Sequence, residues 1–135
     1  MNIKELGMKE ITFEAFPEIK IGHAVNEEAA TGCTVLVCED GMTAAVDVRG
    51  GGPASRETPL LKPLASAERI HSIVLSGGSA FGLEAGCGVA QFLEEQGIGF
   101  DTGYAKVPLV CQSCIYDLGI GSSSVRPDRQ MGYEA

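Results

Sequence analysis

Hydrophobic and polar positions change period several times along the chain, and each change predicts an element. Ile19–Val25 (IKIGHAV) and Thr31–Asp40 (TGCTVLVCED) alternate as strands. Glu39–Met42 (EDGM) supplies an Asp-Gly turn expected to return Thr43–Gly50 antiparallel to the second of them. In that return Ala44, Val46 and Val48 face one way, and Ala45, Asp47 and Arg49 the other. Three glycines and two prolines make residues 50–59 a loop, and residues 60–68 read as a short helical connection. The β-branched run RIHSIVLS at residues 69–76 predicts a buried strand. Residues 79–96 have helical spacing, with Phe81, Ala85, Val89 and Phe92 along one stripe and Gly97 as the stop. Residues 107–110 and 114–121 read as further strand. A last helix opens at Pro127 and Asp128 and has a start but no stop signal, so the chain is expected to continue or to be covered by a partner there.

The length is that of one domain, and the unfinished last helix makes residues 1–135 read as a single, incomplete domain. The 44% hydrophobic content supports a packed core. A net charge of -8, from 18 acidic and 10 basic residues, argues against nucleic-acid and membrane-surface partners. The N-terminal stretch has no apolar targeting core and no later run is long enough to span a bilayer, so a cytoplasmic protein is expected. Five cysteines, at 33, 38, 87, 111 and 114, form no regular framework and are expected to be reduced. Cys111 and Cys114 have CxxC spacing but no second ligand pair, and His23 and His71 stand alone, so no metal or cofactor is expected. His71, at the start of a strand, reads as a core-edge imidazole rather than a general base.

The stretch Ser76-Gly77-Gly78-Ser79-Ala80-Phe81-Gly82 is the chemical question. It is not the Gly-x-Ser-x-Gly elbow of the α/β-hydrolases, the Gly-x-Gly-x-x-Gly of dinucleotide folds or a phosphate loop with lysine. What remains is a sharp strand-to-helix corner with Ser79 as N-cap, whose amides could hold an anion or a developing oxyanion. Gly82 and Gly86, four apart, predict close approach of another backbone. Arg49, Arg56 and Glu57 flank the glycine loop and could bind a substrate terminus or pair among themselves.

Four segments, residues 31–58, 73–89, 92–103 and 107–118, occur in an order and spacing that resemble the N-terminal part of the DmpA-type aminopeptidases. These comprise L-aminopeptidase/D-esterases and β-peptidyl aminopeptidases, with nylon-oligomer hydrolase as a relative, and the resemblance covers residues 19–135. It implies an α/β fold, the N-terminal part of a four-layer α-β-β-α sandwich, DmpA/ornithine-acetyltransferase-like. It further implies a precursor that cuts itself before a Ser or Thr, which becomes the nucleophile of a C-terminal segment. By that resemblance Gly77, Gly78 and Ser79 form a corner beside the substrate pocket, and Ser79 is not the nucleophile. Tyr116 matches a position where some relatives place a tyrosine near the scissile carbonyl and others a phenylalanine. The chain departs from the family's Pro-Ala-Ala pattern at Cys111–Cys114, which bears on the pocket wall. The implied partners are a C-terminal companion segment, further copies of the chain, and a peptide or small amide substrate. Alone, the chain is expected to be inactive. A non-catalytic binding or assembly module, or an anion-binding module at Ser79, are the competing readings.

Overall fold

Period-two alternation builds the first two strands, β1 (Lys20–Asn26) and β2 (Thr31–Met42), as an antiparallel hairpin. Asn26 sets its turn by accepting the Ala29 N–H at 2.9 Å, and Lys20 pairs with Glu39 across the strands. The computed structural model describes Gly7 and residues 9–135. Residues 1–6 and 8, part of the stretch read for a targeting segment, lie outside the described residues.

The predicted turn at Asp40-Gly41 does not form. Both residues lie inside β2, where Gly41 takes a φ of 78° and absorbs an irregularity between Val37 and Met42. Both edges of β2 are already occupied, by β1 and by β4 (Ile70–Ser76). Residues 43–49 therefore have no edge of β2 left to pair with and run on as irregular chain. Before β4 come a two-residue strand, β3 (Ser55–Arg56), and a 3-10 turn, Thr58–Leu61. The helical connection predicted over 60–68 stops at that turn, because Pro63 has no N–H to continue it.

After β4, a 3-10 segment (Ser79–Glu84) leads into α1 (Ala85–Glu95). A small hairpin follows, β5 (Phe100–Asp101) with β6 (Lys106–Val107), then β7 (Val110–Cys114) and α2 (Arg129–Glu134). β7 lies parallel to β4, from Ser72 opposite Val110 to Ser76 opposite Cys114, with α1 in the crossover. The sheet order is β1-β2-β4-β7-β3. The strand expected over 114–121 ends at Cys114, where the chain turns and Ile120 N–H bonds the Asp117 carbonyl.

Ala85, Val89 and Leu93 of α1 pack with Cys33, Val35, Val74 and Val110 as the buried core, joined by Met131 of α2. Phe81 and Phe92 of the expected stripe are 59% and 36% exposed. The tighter winding of residues 79–84 puts Phe81 out of phase with α1, and Leu93 takes the buried position in place of Phe92. Helices thus cover one face of the sheet. On the other face Ile21, Val25, Leu75 and Ile115 stand 41–67% exposed. The result is an α/β fold.

His71 is 8% exposed and accepts the Leu109 N–H on Nδ1 at 3.2 Å. Burial holds its imidazole below the ordinary value of 6.5. The unfolded chain therefore takes up a proton that the folded chain does not as pH falls. Stability is expected to be fully present above pH 6.5 and to decline below it until the folded imidazole titrates. Urea midpoints measured from pH 8 to 5 test this, and the decline should shrink in His71→Gln.

Candidate functional site

β4 and β7, parallel and adjacent, end at the same edge of the sheet, so the turns that follow them meet. After β4, Gly78 takes a φ of 82° and Ser79 one of 54°, two successive left-handed residues that reverse the chain into the 3-10 segment. For Ser79 this is a strained conformation. The turn is held from β7. Ile115 donates to the Ser76 carbonyl and accepts from the Ser79 N–H, both at 2.9 Å. Asp117 then accepts the Gly78 N–H at 2.7 Å through Oδ1 and the Thr31 hydroxyl at 2.9 Å through Oδ2. A Cβ at Gly77 would overlap that carboxylate and Thr31 Oγ1, so glycine is required there by close approach.

This arrangement corrects two readings of Ser79. The N-cap position falls on Gly78, and no side chain caps the segment there among the described residues. Its amide is taken by Ile115, and the chain's own carboxylate holds the Gly78 amide that an anion would use. Gly82 lies on the 3-10 segment and not on one helix face with Gly86, and the backbone it meets is the Gly77 carbonyl of its own turn. Gly86 instead meets the Gln112 side chain.

Between the corner and the ends of β2 and β7 lies an open depression of about 480 Å³, lined by Thr31, Thr34, Leu75, Gly77, Ser113 and Asp117 among others. Tyr116 lies between two pinned residues, Ile115 and Asp117, yet its side chain is 81% exposed. Its backbone is fixed while its phenol projects. On the far side Arg126 and Pro127 seal Gly78, and the Arg126 guanidinium lies 4.1 Å above the Phe81 ring. Arg49 is placed elsewhere. It pairs with Asp47 at 2.7 Å, both exposed, in a cleft of about 230 Å³ that meets the depression across Ser113. The structure thus brings Gly77, Gly78, Ser79 and Tyr116 to one corner, with Arg49 in the neighbouring cleft.

Asp117, Thr31 and Arg126 were missed as corner residues. The only local signal for Asp117 is a carboxylate just past a strand. Cys111 and Cys114, three apart on β7, point to opposite faces. Burial pushes both thiols up, with Glu57 adding to the effect at Cys111. His23 Nδ1 lies 2.9 Å from Thr34 Oγ1, an exposed cross-strand pair. Among the described residues no group of three or more His, Cys, Asp or Glu could hold a metal ion, and no helix is long and apolar enough to cross a membrane.

The profile of peptidase family S58 matches residues 16–131. An uncharacterized aminopeptidase of Mycobacterium tuberculosis is 44% identical over 108 residues, which are 78% of this chain and 31% of that protein. One of Mycobacterium leprae is 42% identical over 106 residues, 78% of this chain and 29% of that protein. A 6-aminohexanoate-oligomer endohydrolase of Kocuria sp. is 35% identical over 133 residues, 98% of this chain and 35% of that protein. The chain spans about a third of the length of these curated relatives. The motif resemblance is borne out by these matches.

Proposed function

Since the chain belongs to peptidase family S58, we propose that it is the N-terminal segment of a self-processing aminopeptidase or amidohydrolase acting on a peptide or small amide. In this reading a companion segment carries the Ser or Thr nucleophile and supplies the second sheet of a four-layer sandwich. The observation that carries it is the uncovered apolar sheet face directly beside the corner: Val25, Leu75 and Ile115 are 66%, 50% and 67% exposed. Apolar sheet faces of this kind are ordinarily buried by another layer.

The chemistry is acyl transfer. The incoming hydroxyl attacks the amide carbonyl, and the negative charge that develops on the carbonyl oxygen needs a fixed donor. Tyr116 is the donor this chain offers, because Ile115 and Asp117 hold its backbone and leave its phenol free. Gly77, Gly78 and Ser79 form the adjacent wall, and Arg49 is suited to a substrate carboxylate if its pairing with Asp47 opens.

Denaturing mass spectrometry of the natural gene product is expected to show a second polypeptide beginning with Ser or Thr. The purified 135-residue chain is expected to leave an aminoacyl anilide uncleaved. Turnover by the verified chain alone would overturn the segment reading, and a single unprocessed polypeptide would end the self-processing one. Folding and ligand binding without turnover by a processed complex would point to a binding module.

A further inference from the structure

Away from the corner, Arg56 and Gln112 stand directly opposite each other where β3 pairs with β7. Their side chains therefore share a face of the sheet, the one under α1. Gln112 is 2% exposed. Its Nε2 donates to the Gly82 carbonyl at 2.7 Å and to Ser76 Oγ at 3.0 Å. A carbonyl can only accept, so this contact fixes which end of the amide is which. Oε1 is then buried without any partner among the described residues.

That orphaned oxygen is aimed at Gly86. A Cβ there would meet Oε1 first and Arg56 Nη1 at 3.4 Å. The next residue, Cys87, is half-buried, and its Sγ lies 3.1 Å from the same Arg56 Nη1. Cys33, Cys38 and Cys111 are buried, and Cys114 is held by Ser76 and Gln112. Cys87 alone combines partial exposure with a guanidinium N–H on its sulfur, the electropositive and partly open surroundings in which reactive cysteines sit. An acceptor without a donor and a cation thus flank Gly86, and the same Arg56 Nη1 reaches the sulfur of the next residue, half-buried Cys87.

We propose that Cys87 is a peroxide-reactive thiol whose sulfenic acid is retained by Arg56 and Gln112. The Cys87 sulfur attacks one oxygen of hydrogen peroxide. The S–O bond forms as the O–O bond breaks, sulfur gives up two electrons, and the leaving hydroxide takes the thiol proton to become water. The remaining S–OH supplies the donor that Oε1 lacks, and its oxygen accepts a second N–H from Arg56.

The full chain is treated with hydrogen peroxide in the presence of dimedone, which traps sulfenic acids, and labelled peptides are quantified by mass spectrometry. Cys87 is expected to label at least about 10-fold faster than Cys114, the other half-buried thiol. Arg56→Met is expected to remove that advantage. Gln112→Met is expected to leave the initial rate and shorten the lifetime of the sulfenic acid toward later trapping. Equal labelling of Cys87 and Cys114 in the unsubstituted chain overturns the proposal whether or not either variant folds, and so does an unchanged Cys87 rate in a folded Arg56→Met chain.

Discussion

Asp117→Ala is expected to lower the stability of the chain by about 3 kcal/mol, the worth of two hydrogen bonds to a charged acceptor less what water restores. One carboxylate serves two elements. It accepts the amide of buried Gly78 at the end of β4 and the hydroxyl of Thr31 at the start of β2. Alanine leaves the Gly78 N–H without a partner in a turn sealed on its other side by Arg126 and Pro127. The loss is therefore largely the penalty for a buried, unmet donor, while Thr31 can turn to solvent. Asp117→Asn keeps one carbonyl oxygen for Gly78 and offers an N–H to Thr31 Oγ1, so it should lose less than half as much. Urea unfolding at pH 7 measures both. If alanine and asparagine each fall within about 0.5 kcal/mol of the unsubstituted chain, the carboxylate is not what holds the corner.

The ordering of these two variants bears on function as well as stability. Tyr116 is held through its neighbours, and one of those neighbours is Asp117. Unlatching Asp117 would free the backbone that positions the phenol along with the glycine turn. A stability defect in Asp117→Ala without any loss of order at Tyr116 would separate the clamp from the proposed donor, and hydrogen exchange at the Ser79 and Ile115 amides reads that directly.

Strands were legible wherever local pattern decides. The alternation through Ile21–Val25 and Cys33–Val37 and the β-branched run Ile70–Ser76 appear as β1, β2 and β4. What failed was set by contacts distant in sequence. Asp40-Gly41 has turn chemistry, but β2 was flanked on both edges by strands that a local reading cannot see. Ser79 has cap chemistry, but its turn is closed from Ile115 and Asp117, 36 and 38 residues later. Phe81 follows helical spacing, yet the 3-10 winding that displaces it comes from that same closure. The site was legible as a glycine corner because backbone reversal is a local property. Its clamp was not, because a lone aspartate past a strand looks the same whether it faces water or an amide.

The second large effect concerns two glycines that the residue pattern did not single out. α1 and α2 cross at Gly88 and Gly132. A Cβ on Gly88 would overlap the Arg129 carbonyl and lie 2.7 Å from Tyr133 N, and one on Gly132 would overlap the Ala85 carbonyl. In an isolated helix Gly88→Ala would gain about 1 kcal/mol. Here the helices must separate, and α2, six residues long, cannot persist without its partner. A net loss of about 3 kcal/mol is expected for Gly88→Ala, against less than about 0.5 for Gly51→Ala, where nothing lies within reach of the new methyl. A spectroscopic reading distinguishes detachment from general weakening. Tyr133 donates to Glu95 at 2.6 Å, and that bond holds its phenol above the ordinary value of 10.0. Once α2 leaves α1, the Tyr133 phenolate should form at lower pH, visible in an ultraviolet titration of the folded variant. Gly132→Ala added to Gly88→Ala should then contribute little more, because the crossing it would disturb is already open. A Gly88→Ala chain with unchanged stability and an unchanged Tyr133 titration would mean that α2 does not rest on α1 in solution.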